Sequence, residues 1–230
     1  LTDSGYAGVP IESILQMSSG IAFVEKYASA LSDSQRLWSQ TVQYRTRRLN
    51  DFLLDMEAVR APYEEFNYKG VDTAALGWLV TRVSGLSLSD YLSTRLWQPL
   101  GMEADASWGL DDEGPSATEI AFCCFNARLR DYARLGQFML QRGLWAGQQL
   151  LPEDWVERAT VSSREKVQPG QLYPGYALGY QYQWWTFPGE DFSYTAEGIN
   201  GQFLYVNPAE QLVVVMTGAW RRFWDSALEA

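Results

Sequence analysis

The sequence predicts an α+β fold, in which a mainly helical region precedes an antiparallel sheet that is flanked by helices. Apolar residues recur at helical spacing through residues 1–120, whereas β-branched and aromatic runs separated by a turn fall within residues 121–230. The 230 residues are 47% hydrophobic and 20% charged, which is ordinary for a globular chain with a sizeable core. We expect both regions to form one continuous domain.

The first predicted helices are bounded by prolines. Pro10 suits the first position of a helix that ends near Gly20. A ragged helical pattern then runs from Ser32 to about Met56, and Pro62 breaks it.

Two helices with clearer boundaries follow. Asp72 is predicted to cap the first of them and Gly85 to stop it. The second runs from Leu88 to Trp97, because Pro99 cannot continue a helix.

The middle of the chain alternates loops with helices. Residues 102–115 are rich in glycine and acidic side chains, which predicts a surface loop. Asn126 is predicted to cap a helix that ends near Gly143, and Pro152 opens a short helix.

The sheet is predicted in the last third. Residues 180–187 are aromatic and extended, and residues 203–206 and 212–216 form two strands joined by a turn at 207–210. Because residues 212–216 are apolar on both faces, we expect a covered, interior strand. The tail, residues 220–230, is predicted to be a helix packed on this sheet.

Charge and the absence of histidine exclude several function classes. The chain has 18 Lys+Arg against 28 Asp+Glu, and this net charge of −10 disfavours a nucleic-acid partner. No apolar run approaches the roughly 20 residues of a transmembrane segment. Without histidine there is no Ser-His-Asp triad and no His-ligated metal, so acid–base chemistry falls to carboxylates, Lys or Tyr. We expect no metal and no cofactor, and the compartment and oligomeric state stay open.

The two cysteines, Cys123 and Cys124, are adjacent in an apolar stretch. Because neighbouring cysteines rarely form a disulfide, we expect two buried thiols.

Three short motifs allow a functional and a plain structural interpretation. Tyr68 lies in a loop before a helix and would carry protons if a cation lowered its pKa from about 10, although packing is the commoner role. Residues 197–202 (EGINGQ) are either a ligand-approached strand edge whose N–H serves an oxyanion, or a plain turn. Trp184 and Trp185 are suited to sugar stacking, or to an aromatic sheet face.

A fourth motif, Ser163 to Lys166, matches the S-x-x-K nucleophile–base signature. The signature needs its serine at the start of a helix, whereas Ser163 follows one. We interpret this match as coincidence.

Five segments, taken in order, resemble the serine β-lactamase-related hydrolases, a family that includes class C β-lactamases, DD-peptidases, esterases and 6-aminohexanoate-dimer hydrolases. They are residues 8–20 (GVPIESILQMSSG), 66–85, 96–102 (LWQPLGM), 127–136 (ARLRDYARLG) and 198–208. The resemblance implies a β-lactamase/penicillin-binding-like α+β fold. The family's S-x-x-K motif lies upstream of the first segment, so the chain is expected to lack it together with the N-terminal helix and strands. An exposed strand edge and apolar patch would result.

The resemblance also implies site residues. Tyr68 matches the family's proton-shuttling tyrosine, and the backbone N–H of Ile199 matches one half of its oxyanion hole. Tyr27, Gly198 and Asn200 match substrate-binding positions.

The resemblance implies that the parent protein is a serine hydrolase of small amides or esters that works through an acyl-enzyme, with this fragment inactive alone. Lack of the family's KTG lysine places it nearest the aminohexanoate-dimer hydrolase and esterase branch. Gly70, where relatives carry Ser or Asn, and the missing nucleophile favour an alternative, a non-catalytic binding module with the same fold. A sugar-binding protein that uses Trp184 and Trp185 is a third hypothesis.

Overall fold

The computed structural model describes residues 1–27, 29–172 and 175–221. The chain divides into two compact units. The first holds residues 1–98 and 106–126, and the second holds residues 99–105 and the chain from Ala127 onward.

Helices dominate the first unit. They are α1 (Ile11–Leu15), α2 (Asp33–Trp38), α3 (Leu49–Leu54), α4 (Gly70–Ser84) and α5 (Leu88–Leu92), with π-helical turns at Ser39–Gln43 and Ser93–Trp97. Two short strands, β1 (Ser107–Trp108) and β2 (Phe125–Asn126), pair antiparallel. The core of this unit forms where α1, α3 and α4 bury apolar side chains such as Ile14, Phe52 and Val71.

The second unit contains an antiparallel sheet flanked by helices. Its helices are α6 (Leu129–Leu140), α7 (Glu153–Thr160) and α8 (Pro169–Leu172), with a 3₁₀ turn at Glu165–Val167. A small hairpin joins β3 (Leu144–Trp145) to β4 (Gln148–Gln149). The main sheet follows chain order as β5 (Gly179–Gln181), β6 (Trp184–Thr186), β7 (Tyr194–Gly198), β8 (Gln202–Asn207) and β9 (Leu212–Thr217). The predicted α+β class is therefore confirmed.

Helix α6 lies close against the sheet because it carries Gly136 at the crossing. A Cβ atom there would lie 2.6 Å from Val213 Cγ1 and 2.7 Å from Leu204 Cδ1, so only glycine fits this approach.

Several predicted helix boundaries are wrong. Helix α1 ends at Leu15 rather than near Gly20. The pattern from Ser32 to Met56 forms two helices with a π-helical turn and a bend between them. Asn126 caps nothing, since it belongs to β2 and Arg128 precedes α6.

Helix α4 illustrates one correct boundary and one incorrect one. Gly85 ends it in a left-handed conformation at φ 71°, as predicted. Asp72 does not cap it, because the helix begins at Gly70 and the Asp72 side chain is buried in the first turn.

Two sheet predictions are corrected. Residues 180–187 form a hairpin, in which Tyr182 and Gln183 at φ 37° and 72° turn the chain between β5 and β6. Strand β9 is the outermost strand of the described sheet, and Leu212, Val214 and Met216 are exposed, so it is not a covered strand.

The predicted loop at 102–115 contains β1. Of the predicted tail helix, only residues 220 and 221 fall within the described residues. Across the described ranges, none of the helices has the length and apolarity that crossing a bilayer requires.

Cys123 and Cys124 form a disulfide with each other, so the prediction of two thiols is wrong. Cys124 adopts a left-handed backbone conformation with φ 70°.

Candidate active site

The segment from Asn67 to Gly70, which we call the 67–70 segment, leads into α4 and carries Tyr68. Every second residue from 17 to 25 accepts a hydrogen bond from this segment. The contacts are Asn67 N to Met17 O at 2.7 Å, Asn67 Nδ2 to Phe23 O at 3.2 Å, Lys69 Nζ to Ser19 Oγ and to Ile21 O at 3.2 Å each, and Gly70 N to Glu25 Oε2 at 3.0 Å. None of these bonds uses Tyr68, so its neighbours on both sides fix the backbone around it.

Lys69 is almost completely buried, with 1% of its surface exposed. Besides its two hydrogen bonds, the Nζ atom lies 3.8 Å from Oδ2 of Asp72, three residues later on the chain. Burial lowers the pKa of the Lys69 ammonium, although the Asp72 carboxylate opposes this change.

Asp72 is fully buried, and its Oδ1 atom accepts hydrogen bonds of 2.8 Å from both the Tyr6 hydroxyl and the Ser19 hydroxyl. Burial raises the pKa of Asp72 to about 6, against the opposing effect of Lys69 and these hydrogen bonds. Lys69, Asp72, Ser19 and Tyr6 therefore form a closed polar cluster inside the first unit.

Tyr27 lies near Tyr68, and Glu25 connects it to the 67–70 segment. The Tyr27 phenol is hydrogen-bonded to the Glu25 carboxylate, which also accepts from Gly70 N. Burial, then the charge of Glu25 and the neighbouring Tyr68 phenol, raise the pKa of Tyr27 well above its ordinary value. Tyr27 therefore stays protonated at neutral pH and acts as a hydrogen-bond donor. Burial also raises the pKa of Glu25, although the bonds from Gly70 and Tyr27 oppose this.

The surroundings of Gly70 leave room for a Cβ atom. A Cβ atom at this position would contact the Phe122 side chain at 3.5 Å, an ordinary van der Waals distance. The backbone N–H of Gly70 already makes the bond to Glu25.

The tip of the β7–β8 hairpin carries Gly198, Ile199 and Asn200. Gly198 pairs with Gln202, and Asn200 and Gly201 adopt left-handed conformations at φ 67° and 85°, as an Asn-Gly turn allows. Ile199 is 45% exposed, and within the described part of the chain no oxygen accepts a hydrogen bond from its N–H.

Trp220 fixes this tip. Its N–H donates to Asn200 O and its carbonyl accepts from Asn200 Nδ2, both at 2.9 Å. Gly201 lies so close to the Trp220 ring that a Cβ atom would approach Cε2 to 2.3 Å. The Asn200 side chain therefore stabilises the hairpin tip through its bond to Trp220, independently of any contact with a ligand.

The structure brings Tyr27 and Tyr68 together in the first unit, and Gly198, Ile199 and Asn200 together in the second. Sequence reasoning missed Glu25 and Lys69 as neighbours of Tyr68. The only signal was the charge pair Lys69 and Asp72 at i, i+3 across a helix start, which is usually a surface arrangement.

Ser163 and Lys166 are both exposed, and neither begins an α-helix. The Ser163 hydroxyl accepts from Gln181 Nε2 at 3.2 Å. This environment supports the interpretation of the S-x-x-K match as coincidence.

Trp184 and Trp185 pack edge-on against neighbouring tyrosines. The ring centroids are 5.1 Å apart for Trp184 and Tyr194, and 4.9 Å apart for Trp185 and Tyr180. Their place in this aromatic layer favours packing over sugar stacking.

Comparisons with known proteins agree on one family. The family model described as Beta-lactamase matches residues 1–221. The chain is 31% identical over 228 residues to the 6-aminohexanoate-dimer hydrolase of Paenarthrobacter ureafaciens. The matched residues cover 96% of this chain and 57% of that protein. The chain therefore spans little more than half the length of this relative.

Solved structures show the same fold. A protein from Bacillus anthracis assigned as a 6-aminohexanoate-dimer hydrolase matches with a TM-score of 0.80 and 24% identity, covering 98% of this chain and 59% of that one. A penicillin-binding protein homologue from Caulobacter crescentus matches with a TM-score of 0.68 and 15% identity, over 94% of this chain and 67% of that one. These likenesses confirm the β-lactamase/penicillin-binding-like fold.

Proposed function

Because the chain belongs to the β-lactamase family, we propose that it is the C-terminal part of a serine hydrolase that cleaves small amides or esters through an acyl-enzyme. In this proposal the nucleophilic serine and its lysine lie upstream of Leu1. The observation that carries the proposal is the position of Tyr68, which projects beside Tyr27 from a segment anchored on both sides.

The reaction begins when the upstream serine Oγ attacks the substrate carbonyl carbon and forms a C–O bond. The serine proton passes to the Tyr68–lysine pair, and the carbonyl oxygen becomes an oxyanion. The Ile199 N–H donates a hydrogen bond to this oxyanion. Removal of one such donor typically costs about 3–4 kcal/mol of transition-state stabilisation.

The tetrahedral intermediate collapses when the bond to the leaving group breaks and Tyr68 returns the proton to the departing amine or alcohol. Water then attacks the acyl-serine, and the same groups take and return its proton as the acid is released. The chain contains no histidine, so a phenol and an amine are the groups that the family offers for this proton transfer.

Substrate contacts are assigned to Tyr27, Gly198 and Asn200. Tyr27 stays protonated and presents its phenol beside Tyr68, where it orients the scissile group. A Cβ atom at Gly198 would approach Gln202 Oε1 to 2.7 Å, so the glycine lets the Gln202 side chain lie against the backbone at the hairpin tip. Because the curated relative is named a 6-aminohexanoate-dimer hydrolase, a small linear amide is the substrate class that this proposal favours.

A labelling experiment tests the proposal. The chain is expressed together with its upstream coding sequence and treated with a fluorophosphonate probe, which modifies activated serines. We expect a labelled serine in the wild type and a labelling rate at least about 100-fold lower in Tyr68→Phe, because general-base assistance is lost.

The control is Tyr132→Phe, which alters a half-buried tyrosine on α6 in the second unit and should label at the wild-type rate. Labelling of Tyr68→Phe at full rate would contradict the assignment of Tyr68. Absence of any labelled serine would favour the non-catalytic binding module.

A further inference from the structure

The buried charges next to Tyr68 need an explanation beyond stability. Lys69 and Asp72 are 1% and 0% exposed, and removing two such charges from water costs more than their attraction returns unless other bonds satisfy them. Replacement of a buried ion pair by apolar side chains of similar volume is often neutral or stabilising in proteins. Stability alone therefore does not account for the pair.

The contribution of the Lys69–Asp72 pair is to set the directions in which the Lys69 and Tyr68 side chains leave the backbone. The backbone of Lys69 is extended, with φ −158° and ψ 131°, and consecutive side chains of an extended segment leave the chain on opposite sides. Lys69 is drawn inward by Ser19 Oγ, Ile21 O and Asp72, whereas Tyr68 is only half-buried. Holding the ammonium inside therefore holds the phenol of Tyr68 outward.

Further hydrogen bonds restrict the positions of the Lys69 and Asp72 side chains. Ser19 Oγ accepts from Lys69 Nζ and donates to Asp72 Oδ1, while the Tyr6 hydroxyl occupies the same carboxylate oxygen. An apolar side chain at position 69 would make none of these polar contacts. The ammonium is held where it contacts Ser19 Oγ, Ile21 O and Asp72.

We propose that the buried Lys69–Asp72 pair, together with Ser19, positions Tyr68 for proton transfer in the proposed hydrolase. The inference rests on the proposed function for its catalytic consequence, although the geometric part stands without it. Lys69 and Asp72 act through Tyr68 and are positioning residues.

The test compares two charge-removing replacements of i, i+3 ion pairs, each with a fully buried aspartate; the lysine of the first pair is 1% exposed and the arginine of the second 31%. The first is Lys69→Met with Asp72→Asn, which removes both charges and keeps an oxygen for Tyr6 and Ser19. The matched control is Arg134→Met with Asp131→Asn on α6, where Asp131 is also fully buried and lies 3.3 Å from its arginine. Ser19→Ala is a milder third variant, which keeps both charges and removes the hydroxyl between them.

The first readout is the ¹⁹F spectrum of the 230-residue chain with 3-fluorotyrosine at position 68. We expect one narrow line in the wild type and in the Asp131/Arg134 control. In the Lys69/Asp72 variant we expect splitting or at least about twofold broadening, because the ring samples more than one orientation. Ser19→Ala should give a smaller change in the same direction.

The second readout is turnover of a small amide by the longer protein. The Lys69/Asp72 variant should lose at least about 10-fold in kcat, with KM within about twofold of wild type, since substrate binding is unaffected and proton transfer is misaligned.

An unchanged fluorine line in both the Lys69/Asp72 variant and Ser19→Ala would overturn the proposal, and so would equal broadening by the control pair. If the Lys69/Asp72 variant fails to fold, the line width of Ser19→Ala decides. If the longer protein shows no turnover, the proposed function fails, but the fluorine spectra still decide whether the pair positions Tyr68.

Discussion

The Lys69 ammonium and the Asp72 carboxylate lie 3.8 Å apart, one residue and four residues after Tyr68, and neither is open to solvent. Because desolvation raises the pKa of Asp72, the pair gives the fold a pH dependence that can be measured.

The free energy of unfolding should fall as the pH rises from about 4 to about 6. The pKa of Asp72 is about 6 in the folded chain against 3.8 ordinarily, so between these values the folded state holds a proton that the unfolded state has lost. The proton on Asp72 adds about 3 kcal/mol to the free energy of unfolding below pH 3.8, and this contribution is lost as the pH rises through 6.

Urea unfolding of the wild type and of the Lys69→Met/Asp72→Asn variant measures this effect. As the pH rises from 4 to 7, the unfolding free energy of the wild type should decrease relative to that of the variant. Parallel curves for the two proteins would show that Asp72 titrates normally.

Ile199→Pro removes the proposed oxyanion donor. In the longer protein it should lower kcat by about 10²–10³-fold, because one hydrogen bond to the developing charge is lost. Ile199→Ala keeps the backbone N–H and shortens only an exposed side chain, so its kcat should stay within about threefold of wild type. Equal losses in the two variants would assign the effect to the side chain.

Gly201→Ala should destabilise the chain more than Gly147→Ala. Both glycines have positive φ, 85° and 79°, and an alanine in this region costs about 1–2 kcal/mol. Only at Gly201 would the added Cβ also strike the Trp220 ring, whereas nothing lies within 4 Å at Gly147. Urea unfolding of both variants gives the comparison, and equal costs would mean that Trp220 moves aside freely.

Ser163→Ala should leave kcat and KM of the longer protein unchanged. Ser163 is exposed, and its contact is with Gln181 rather than with a helical lysine. Loss of turnover in this variant would restore the S-x-x-K match as a functional motif.

Local signals predicted parts of the fold because the responsible residues act over a few positions. Gly85 ends α4 through its own backbone freedom, and the turn after β8 is closed by Asn207 Oδ1, which accepts from Glu210 N. Pro152 precedes α7 as expected.

Other features depend on residues distant in sequence. Lys69 and Asp72 have side chains typical of surfaces. Their buried polar contacts are made with Tyr6, Ser19 and Ile21, which lie 48 to 66 positions earlier. The exposure of β9 depends on which strands surround it, and its apolar pattern carries no information on that point.

The site residues came from a family resemblance, since spacing alone favoured a packing role for Tyr68. The neighbourhood of Tyr68, with Tyr27 and Glu25, depends on the packing of residues 17–25 against the 67–70 segment, which no local pattern indicates.

Peptide mass spectrometry of the longer protein, after treatment with a fluorophosphonate probe, identifies the serine that the probe labels. We expect one modified serine, in a peptide encoded before Leu1, whose labelling depends on Tyr68. Modification at Ser163, or at any other serine within these 230 residues, would contradict it.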